Sequence, residues 1–193
     1  MRLGIFGGSF DPPHVGHLLA AQDAFEQLAL DRMVLVPTAT QPLKVGRAAA
    51  DAAHRLEMTR LLVDGDTRFE VSAVEVERAG LSFSVDTLTH FAGVHPAAER
   101  FFLVGADVLA TFAQWREPKR ILQLAKLVVL QRIGDASPAL PAGVDAGAML
   151  RLETRRVDVS STEIRERVRE GKSIRGFVTD NVAAYIERSR LYR

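Results

Sequence analysis

One stretch of this chain organises the rest: Gly7-Gly8-Ser9-Phe10-Asp11-Pro12-Pro13-His14-Val15-Gly16-His17-Leu18. It lies between a short apolar run and a segment whose apolar residues follow helical spacing. Gly7 and Gly8 allow the backbone to approach a ligand closely, and Pro12 and Pro13 keep the following loop extended. A rigid loop of this kind, leading from a strand into a helix, is suited to cradling phosphate groups.

The segments around this loop predict a parallel sheet. Arg2–Phe6 predicts a buried strand, the spacing from Val15 predicts a helix, and Met33–Val36 predicts a second strand, which together form a right-handed crossover. Further strands are predicted at Phe69–Ser72, Arg100–Val104, Leu127–Leu130 and Leu150–Leu152, and Val74–Arg78 is predicted to be extended. We therefore expect an α/β fold with a Rossmann-like, doubly wound parallel sheet that binds ligands at the carboxyl ends of its strands.

The length of 193 residues suits a single domain. We expect residues 1–150 to form the Rossmann-like core and residues 151–193 to form a small C-terminal helical part. This part contains Ser160-Ser161-Thr162-Glu163-Ile164-Arg165, which has the pattern of a helix capping box, and a final helix predicted from about Asn181.

Composition excludes several classes of protein. The chain has no cysteine, which rules out disulfides and a cysteine nucleophile, and the cytoplasm is the expected compartment. The apolar run after Met1 is too short for a signal-peptide core or a membrane span, so no membrane association is expected. A net charge of +1 gives no general footprint for nucleic acid, although a small anionic ligand is compatible with it.

Two histidines in the opening stretch are the first candidates for chemistry. His14 and His17 are three residues apart, so on a helix they share one face and both can donate to a single anion. The alternatives are a helix cap or a zinc site with Asp11, whose spacing is loose for a metal. Their position beside a glycine turn at a strand end favours the anion, and donors aimed at phosphorus oxygens are what nucleotidyl transfer requires.

A second candidate anion site begins the C-terminal part. Ser161 and Arg165 lie four residues apart on the first turn of the capped helix, beside backbone N–H groups that have no helical partner. A plain cap with a solvated arginine is the alternative interpretation. We expect the two sites to be halves of one phosphate clamp, brought together by the triphosphate of a bound nucleotide.

Other nucleotide-binding and catalytic motifs do not fit. The glycines near the start lack the spacing of the dinucleotide fingerprint, Gly171-Lys172-Ser173 lacks the rest of a P-loop, and Ser9 lacks the glycine of a nucleophile elbow. Two single residues remain open. Asp107 either binds ribose hydroxyls or caps a helix, and Trp115 either stacks on a ligand ring at a pocket rim or belongs to the core.

The opening stretch resembles the nucleotidyltransferase signature G-x-F-D-P-x-H-x-G-H, and Ser160–Arg165 resembles its partner motif, I-S-S-T-x-I-R. The resemblance extends along nearly the whole chain to the bacterial nicotinate-nucleotide adenylyltransferases. The further matching segments are Lys44, His54–Leu56, Ser82–Leu88, Gly105–Asp107, Phe112–Trp115, Arg132 and Tyr185–Tyr192. At Phe83 and Ser84 the chain departs from the Tyr-Thr that is usual in this family.

The resemblance implies transfer of AMP from ATP to nicotinate mononucleotide, without a covalent enzyme intermediate and with Mg²⁺ held by the ATP phosphates instead of by protein ligands. The catalytic residues that it implies are His14, His17, Lys44 and Arg165. The ATP site would contain Gly8, Ser9, Phe10, His14, His17, Gly105, Asp107, Arg132, Ser161, Thr162 and Arg165, with Asp107 on the ribose and Arg132 near the adenine. The mononucleotide site would contain Lys44, Ser84, Val85, Trp115 and Arg116, with the Trp115 ring on the nicotinate.

Three alternative functions are weighed against this one. A nicotinamide-mononucleotide or a pantetheine-phosphate adenylyltransferase would share the first motif, although Ser82–Leu88 and Trp115 argue against pantetheine phosphate. A nucleotide-binding regulatory module without turnover would bind ATP and make no product. The sequence does not give the strand order or the oligomeric state.

Overall fold

The computed structural model describes residues 1–40, 49–135 and 146–193. Over these residues, six strands form one sheet in which every neighbouring pair is parallel, in the order β3-β2-β1-β4-β5-β6. The strands are β1 (Arg2–Gly8), β2 (Arg32–Pro37), β3 (Phe69–Val71), β4 (Glu99–Gly105), β5 (Lys126–Arg132) and β6 (Met149–Thr154). The Rossmann-like, doubly wound fold class is confirmed, and the boundary drawn at residue 150 falls inside β6.

Helices connect and cover the strands. They are α1 (Val15–Gln27), α2 (Ala52–Leu62), α3 (Val74–Arg78), α4 (Ser84–Val94), α5 (Ala106–Leu109), α6 (Pro118–Leu124), α7 (Ser161–Arg169) and α8 (Asp180–Arg188), with short 3₁₀ turns at Phe112–Gln114 and Ala146–Ala148. Among the described residues, no helix is long and apolar enough to cross a membrane.

Both faces of the central sheet are buried, and the four inner strands β1, β2, β4 and β5 accordingly contain continuous apolar runs. Alternate residues of β1 face opposite sides: Leu3 and Ile5 pack with α4 and α6, whereas Phe6 packs with α1, α2 and the C-terminal helices. Ile164 of α7 and Val182 of α8 are completely buried on the same side of the sheet as Phe6, α1 and α2. The C-terminal helices therefore share a core with the helix that follows the opening loop.

One predicted element is wrong. Val74–Arg78 forms the short helix α3 instead of extended chain. The alternation Val-Glu-Val-Glu resembles a strand pattern, but Glu75 is buried and accepts a hydrogen bond from Thr87 Oγ1 at 2.5 Å, and Ser72 Oγ accepts one from the Val74 N–H at 3.3 Å. Tertiary contacts thus override a two-residue period over so short a segment.

The strand order places the switch point of the sheet between β1 and β4. The chain leaves β1 toward β2 on one side and leaves β4 toward β5 on the other, so a crevice opens outside the carboxyl ends of these neighbouring strands. Gly8 ends β1, Gly105 ends β4 and Arg132 ends β5. The opening loop therefore starts at the switch point.

Candidate active site

The loop after β1 turns sharply and is supported from below by an aromatic ring. Phe10 has φ of +47° and its side chain is completely buried. A Cβ on Gly8 would come within 3.0–3.2 Å of the Phe10 ring, so this close approach requires glycine. Phe10 therefore contributes to the site as a support within the core, whereas the hydroxyl-bearing residue Ser9 is exposed.

The loop brings the two histidine rings together. The His14 and His17 ring centroids lie 3.8 Å apart, and Phe10 meets the His17 ring edge-on at 5.0 Å. His14 is the N-cap of α1, and its backbone N–H donates to His17 Nδ1 at 3.2 Å. Because His17 Nδ1 accepts this bond, a neutral His17 carries its proton on Nε2 and is a donor at that atom.

Both imidazoles are held neutral. Burial, and then the positive charge of Arg132, lowers the pKa of His14 from 6.5 to about 4. Burial lowers the pKa of His17 well below its usual value, and the neighbouring His14 and Arg132 add to this effect. The His14 side chain faces the His17 backbone N–H in a capping-box arrangement, but within the described residues its buried Nδ1 forms no hydrogen bond of normal geometry. A polyanion bound here would be met by N–H donors in a nearly dry environment.

The second motif contacts the first directly. Ser161 Oγ donates to the carbonyl oxygen of Pro12 at 2.8 Å, and Arg165 Nη1 donates to that of Asp11 at 2.7 Å. The expectation that the triphosphate brings the two motifs together is therefore wrong, because side chains of one already hold the backbone of the other. The capping prediction is confirmed at Ser160, whose Oγ accepts from the Glu163 N–H at 3.1 Å.

Arg165 divides its guanidinium between two partners. Nη1 binds the Asp11 carbonyl, and Nη2 donates to Oγ1 of Thr162 at 3.1 Å. Thr162 is exposed on the first turn of α7, where the backbone N–H groups have no helical acceptor. Arg165, the Thr162 hydroxyl and the backbone N–H groups of the first turn thus form a group of donors at the N-terminus of α7, next to the histidine loop.

Arg55, within the matching segment His54–Leu56, ties together the loops around the site, a role that no sequence motif assigned to it. It is 2% exposed and donates to the carbonyl oxygens of Ser9 (2.8 Å), Thr38 (2.6 Å), Ala39 (2.8 Å) and Ala50 (3.0 Å). Burial lowers its pKa, and the nearby Asp11 opposes this effect. One side chain thus ties the loop after β1 to the loop after β2 and to the start of α2.

A sequence signal for Arg55 does exist. Arg55, Met58 and Leu62 occupy spacings i, i+3 and i+7 on α2, and all of them are buried. A charged residue on the apolar stripe of an amphipathic helix predicts a buried charge that must be paired or fully hydrogen-bonded.

Arg132 lies at the end of β5 and acts on both histidines. Its charge lowers the pKa of His14 and of His17, and its Nη1 lies 3.7 Å from a carboxylate oxygen of Asp158, in the segment that leads into α7. Arg132 is half exposed. The structure therefore brings it beside the histidine loop, and its contact with adenine stays a prediction.

The segment that contains Trp115 and Arg116 lies near the start of α4, where Ser84 and Val85 are located. Arg116 Nη1 lies 3.7 Å from a carboxylate oxygen of Asp86, and its guanidinium covers the Phe83 ring at 5.0 Å, so the Trp115–Arg116 segment sits against the first turn of α4. Ser84 and Val85 begin α4, and their N–H groups have no acceptor inside the helix. Phe83, one of the departures from the family pattern, is the N-cap of α4.

The Trp115 ring is partly buried, so it combines packing in the core with exposure at the rim of the site. It packs on Phe112 at 5.4 Å and on Phe102 at 6.2 Å, and its Nε1 donates to Thr111 Oγ1 at 3.1 Å. This fixed ring satisfies its own polar atom inside the protein and leaves part of its surface accessible.

Two predicted residues cannot be placed. Lys44 and the side chain of Asp107 lie outside the described residues; Gly105 is the N-cap of α5 at the end of β4. Within the part of the chain that the structure describes, no group of three or more His, Asp or Glu residues is arranged to hold a metal ion. The Asp11 carboxylate, considered for zinc, instead accepts from the Ala49 and Ala50 N–H groups and from the Tyr192 hydroxyl.

Comparison with known proteins extends the likeness over the whole chain. A family model described as cytidylyltransferase-like matches residues 5–167. The probable nicotinate-nucleotide adenylyltransferase of Gemmatimonas aurantiaca is 52% identical over 199 residues, covering 100% of this chain and 93% of that protein. A protein of the same name from Thermus thermophilus is 46% identical over 193 residues, covering 100% of both chains.

A solved structure shows the same fold. The Plasmodium falciparum nicotinic acid mononucleotide adenylyltransferase complexed with NaAD has a TM-score of 0.77 to this chain at 16% identity, covering 99% of this chain and 97% of that one. The overall arrangement of strands and helices in this chain is therefore a fold already known from a solved structure.

Proposed function

This chain belongs to the cytidylyltransferase-like family and, within it, to the nicotinate-nucleotide adenylyltransferases, and we propose that the histidine loop and the N-terminus of α7 together carry out its reaction. The reaction transfers AMP from ATP to nicotinate mononucleotide and forms nicotinate adenine dinucleotide and pyrophosphate in NAD biosynthesis. The cytoplasm, where both substrates would be available, is the compartment that we propose.

The observation that carries the assignment of residues is the direct contact between the two motifs. Arg165 and Ser161 hold the backbone of Asp11 and Pro12, which are followed after one residue by His14. A triphosphate in the crevice would therefore meet imidazole N–H donors on one side and the α7 donors on the other. Such preorganised donors stabilise charge that develops on phosphorus oxygens and need no reorganisation during the reaction.

The proposed chemistry is a direct in-line displacement. A phosphate oxygen of nicotinate mononucleotide forms a bond to the α-phosphorus of ATP, the bond from that phosphorus to the bridging oxygen of the β-phosphate breaks, and pyrophosphate leaves with the electron pair. His14 and His17 donate from neutral rings to the phosphate oxygens, and Arg165 neutralises part of the charge on the leaving group. Lys44, which lies outside the described residues, would also hold phosphate charge.

Magnesium would enter as part of the substrate MgATP. The Asp11 carboxylate, the acid nearest to the histidines in sequence, already accepts bonds from two N–H groups and a hydroxyl. The protein therefore uses three of the about four acceptor positions of this carboxylate, which supports a metal ion held by the phosphates.

Recognition of the nicotinate carboxylate is proposed at the N-terminus of α4. The N–H groups of Ser84 and Val85, which have no acceptor inside the helix, and the positive end of the helix dipole favour an anion there, and the Arg116 guanidinium lies beside the same turn. The Trp115 ring would stack on the pyridine. An uncharged amide would gain less from this field than a carboxylate, so the acid is the preferred substrate.

The test is an incubation of the protein with ATP, magnesium and each mononucleotide in turn. We expect nicotinate mononucleotide to give the dinucleotide and one equivalent of pyrophosphate, at a higher kcat/KM than nicotinamide mononucleotide. Tight ATP binding without pyrophosphate release in either reaction would contradict the assignment and support a regulatory module. Equal kcat/KM for the two substrates would contradict the proposed role of α4.

A further inference from the structure

Tyr192 reaches the signature loop from the segment that follows α8. Its hydroxyl donates to Oδ1 of Asp11 at 2.7 Å, across 181 positions of sequence, and this bond is buried. The residue has a backbone φ of +63°, a conformation that residues other than glycine rarely adopt. The backbone therefore accepts an unfavourable geometry at the residue that makes this contact.

Asp11, which accepts the Tyr192 bond, is also hydrogen-bonded to other segments of the chain. Its Oδ2 accepts from the Ala49 N–H at 2.7 Å, and its Oδ1 accepts from the Ala50 N–H at 3.2 Å as well as from Tyr192. Its own carbonyl oxygen is held by Arg165. Two residues of the C-terminal part thus fix Asp11: Tyr192 holds its side chain, and Arg165 holds its backbone carbonyl oxygen.

A further contact of the same kind fixes the start of α1. The Val15 N–H donates to the carbonyl oxygen of Phe177 at 3.0 Å. The residues on both sides of His14 are therefore held by the C-terminal part: Asp11 and Pro12 before it, and Val15 after it. Among the C-terminal residues that make these contacts, Tyr192 is the one that binds a side-chain carboxylate.

We infer that Tyr192 is a positioning residue for the adenylyl transfer, acting through Asp11 on the orientation of His14 and His17. The inference rests on the proposed function of the two histidines. Removing the hydroxyl leaves the Asp11 carboxylate with the N–H donors of Ala49 at 2.7 Å and Ala50 at 3.2 Å, so its side chain is held from one side instead of two. Because the histidines act on charge that develops in the transition state, a small displacement lowers kcat more than it raises KM.

The chain supplies a matched control in its other tyrosine. Tyr185 on α8 also makes one hydroxyl contact to a distant element, at 2.9 Å from His54 Nδ1 on α2, so its hydroxyl bond leads to α2 instead of to Asp11. Tyr192→Phe and Tyr185→Phe each keep the ring that packs and remove one buried or partly buried hydroxyl. Both are expected to lower the thermal unfolding midpoint by similar amounts.

The kinetic readout is pyrophosphate release with ATP and nicotinate mononucleotide. We expect Tyr192→Phe to lower kcat about tenfold with both KM values within about threefold, and Tyr185→Phe to leave kcat within about twofold. An equal loss of kcat in the two variants, or none in Tyr192→Phe, would overturn the inference.

Two further measurements keep the role separate from simple destabilisation and from the proposed function. If Tyr192 acts through Asp11, the double variant Tyr192→Phe/Asp11→Asn loses no more kcat than Asp11→Asn alone, whereas multiplied losses would contradict the inference. The second is the nitrogen NMR spectrum of the imidazole rings without substrate. We expect Tyr192→Phe to shift the His14 and His17 signals and Tyr185→Phe to shift only that of His54.

The NMR result does not depend on turnover. Unchanged His14 and His17 signals in folded Tyr192→Phe would overturn the positioning role, even if the wild type makes dinucleotide. Shifted signals together with an inactive wild type would instead contradict the proposed function and leave the positioning role in place.

Discussion

Arg165 Nη1 donates a hydrogen bond to the carbonyl oxygen of Asp11 at 2.7 Å, joining two motifs that are 154 positions apart in the chain. The guanidinium that is proposed to meet the ATP phosphates is therefore also a structural part of the loop that carries the histidines. Any substitution at this position acts on both halves of the clamp.

Arg165→Lys is expected to lower kcat/KM for ATP by about tenfold or more. Lysine keeps the charge but has a single ammonium, which cannot span the Asp11 carbonyl and Thr162 Oγ1 as the guanidinium fork does. Arg169→Lys is the matched control, because Arg169 is an exposed residue in the last turn of the same helix. Equal kcat/KM values for the two variants in steady-state pyrophosphate release would contradict the clamp.

His17→Ala is expected to lower kcat by about 100-fold or more while the fold survives, since loss of one preorganised donor to a developing anion has this magnitude. His90→Ala removes an exposed imidazole on α4 and should keep the wild-type kcat. The measurement is kcat with saturating substrates, with far-ultraviolet circular dichroism as the test of folding. A His17→Ala enzyme with wild-type turnover would show that His17 has no catalytic role.

The pattern of strands and helices could be predicted because both faces of the sheet are buried. Leu127–Leu130, for example, forms part of β5 and is an uninterrupted apolar run that no amphipathic surface strand would show. The order of the strands could not, because β1 contacts β2 and β4 through backbone hydrogen bonds that carry no residue code. The prediction of extended chain at Val74–Arg78 was wrong because five residues are too few to distinguish a two-residue period from a helical one.

Some residues of the candidate site could likewise be predicted from the sequence, and others could not. His14, His17, Ser161 and Arg165 were found because they lie in dense local motifs, whereas the contacts of Arg55 and Tyr192 depend on tertiary neighbours that no spacing encodes. Their partners include main-chain carbonyl oxygens and one carboxylate from distant loops. The function of such residues becomes visible only when the loops that they join are in place.

Arg55→Met is expected to lower the free energy of unfolding by about 3 kcal/mol or more, because it leaves buried carbonyl oxygens without donors. Methionine approximates the length of the side chain, so loss of packing is small. Arg60→Met on the same helix removes an exposed arginine whose nearest carboxylate, on Glu57, is 3.5 Å away, and should change stability by less than about 0.5 kcal/mol. Denaturant titration measures both, and similar values would contradict the role of Arg55.

Acid is expected to destabilise the protein between pH 6.5 and about pH 4. The pKa of His14 is lowered by burial, so the unfolded chain binds a proton in this range that the folded chain does not, and stability is lost as the pH falls. The difference between 6.5 and about 4 corresponds to about 3 kcal/mol for His14. Unfolding titrations at several pH values should show a shallower slope in His14→Asn and an unchanged slope in His90→Asn. Parallel slopes in all three proteins would rule out His14 as a source of the acid sensitivity.

The most direct test of the clamp is a crystal structure of this chain with magnesium and a non-hydrolysable ATP analogue. We predict that the triphosphate lies between the two motifs, with phosphate oxygens within about 3.2 Å of a His14 or His17 ring nitrogen on one side and of an Arg165, Ser161 or Thr162 donor on the other. A triphosphate bound at only one motif, or away from both imidazoles, would contradict the clamp.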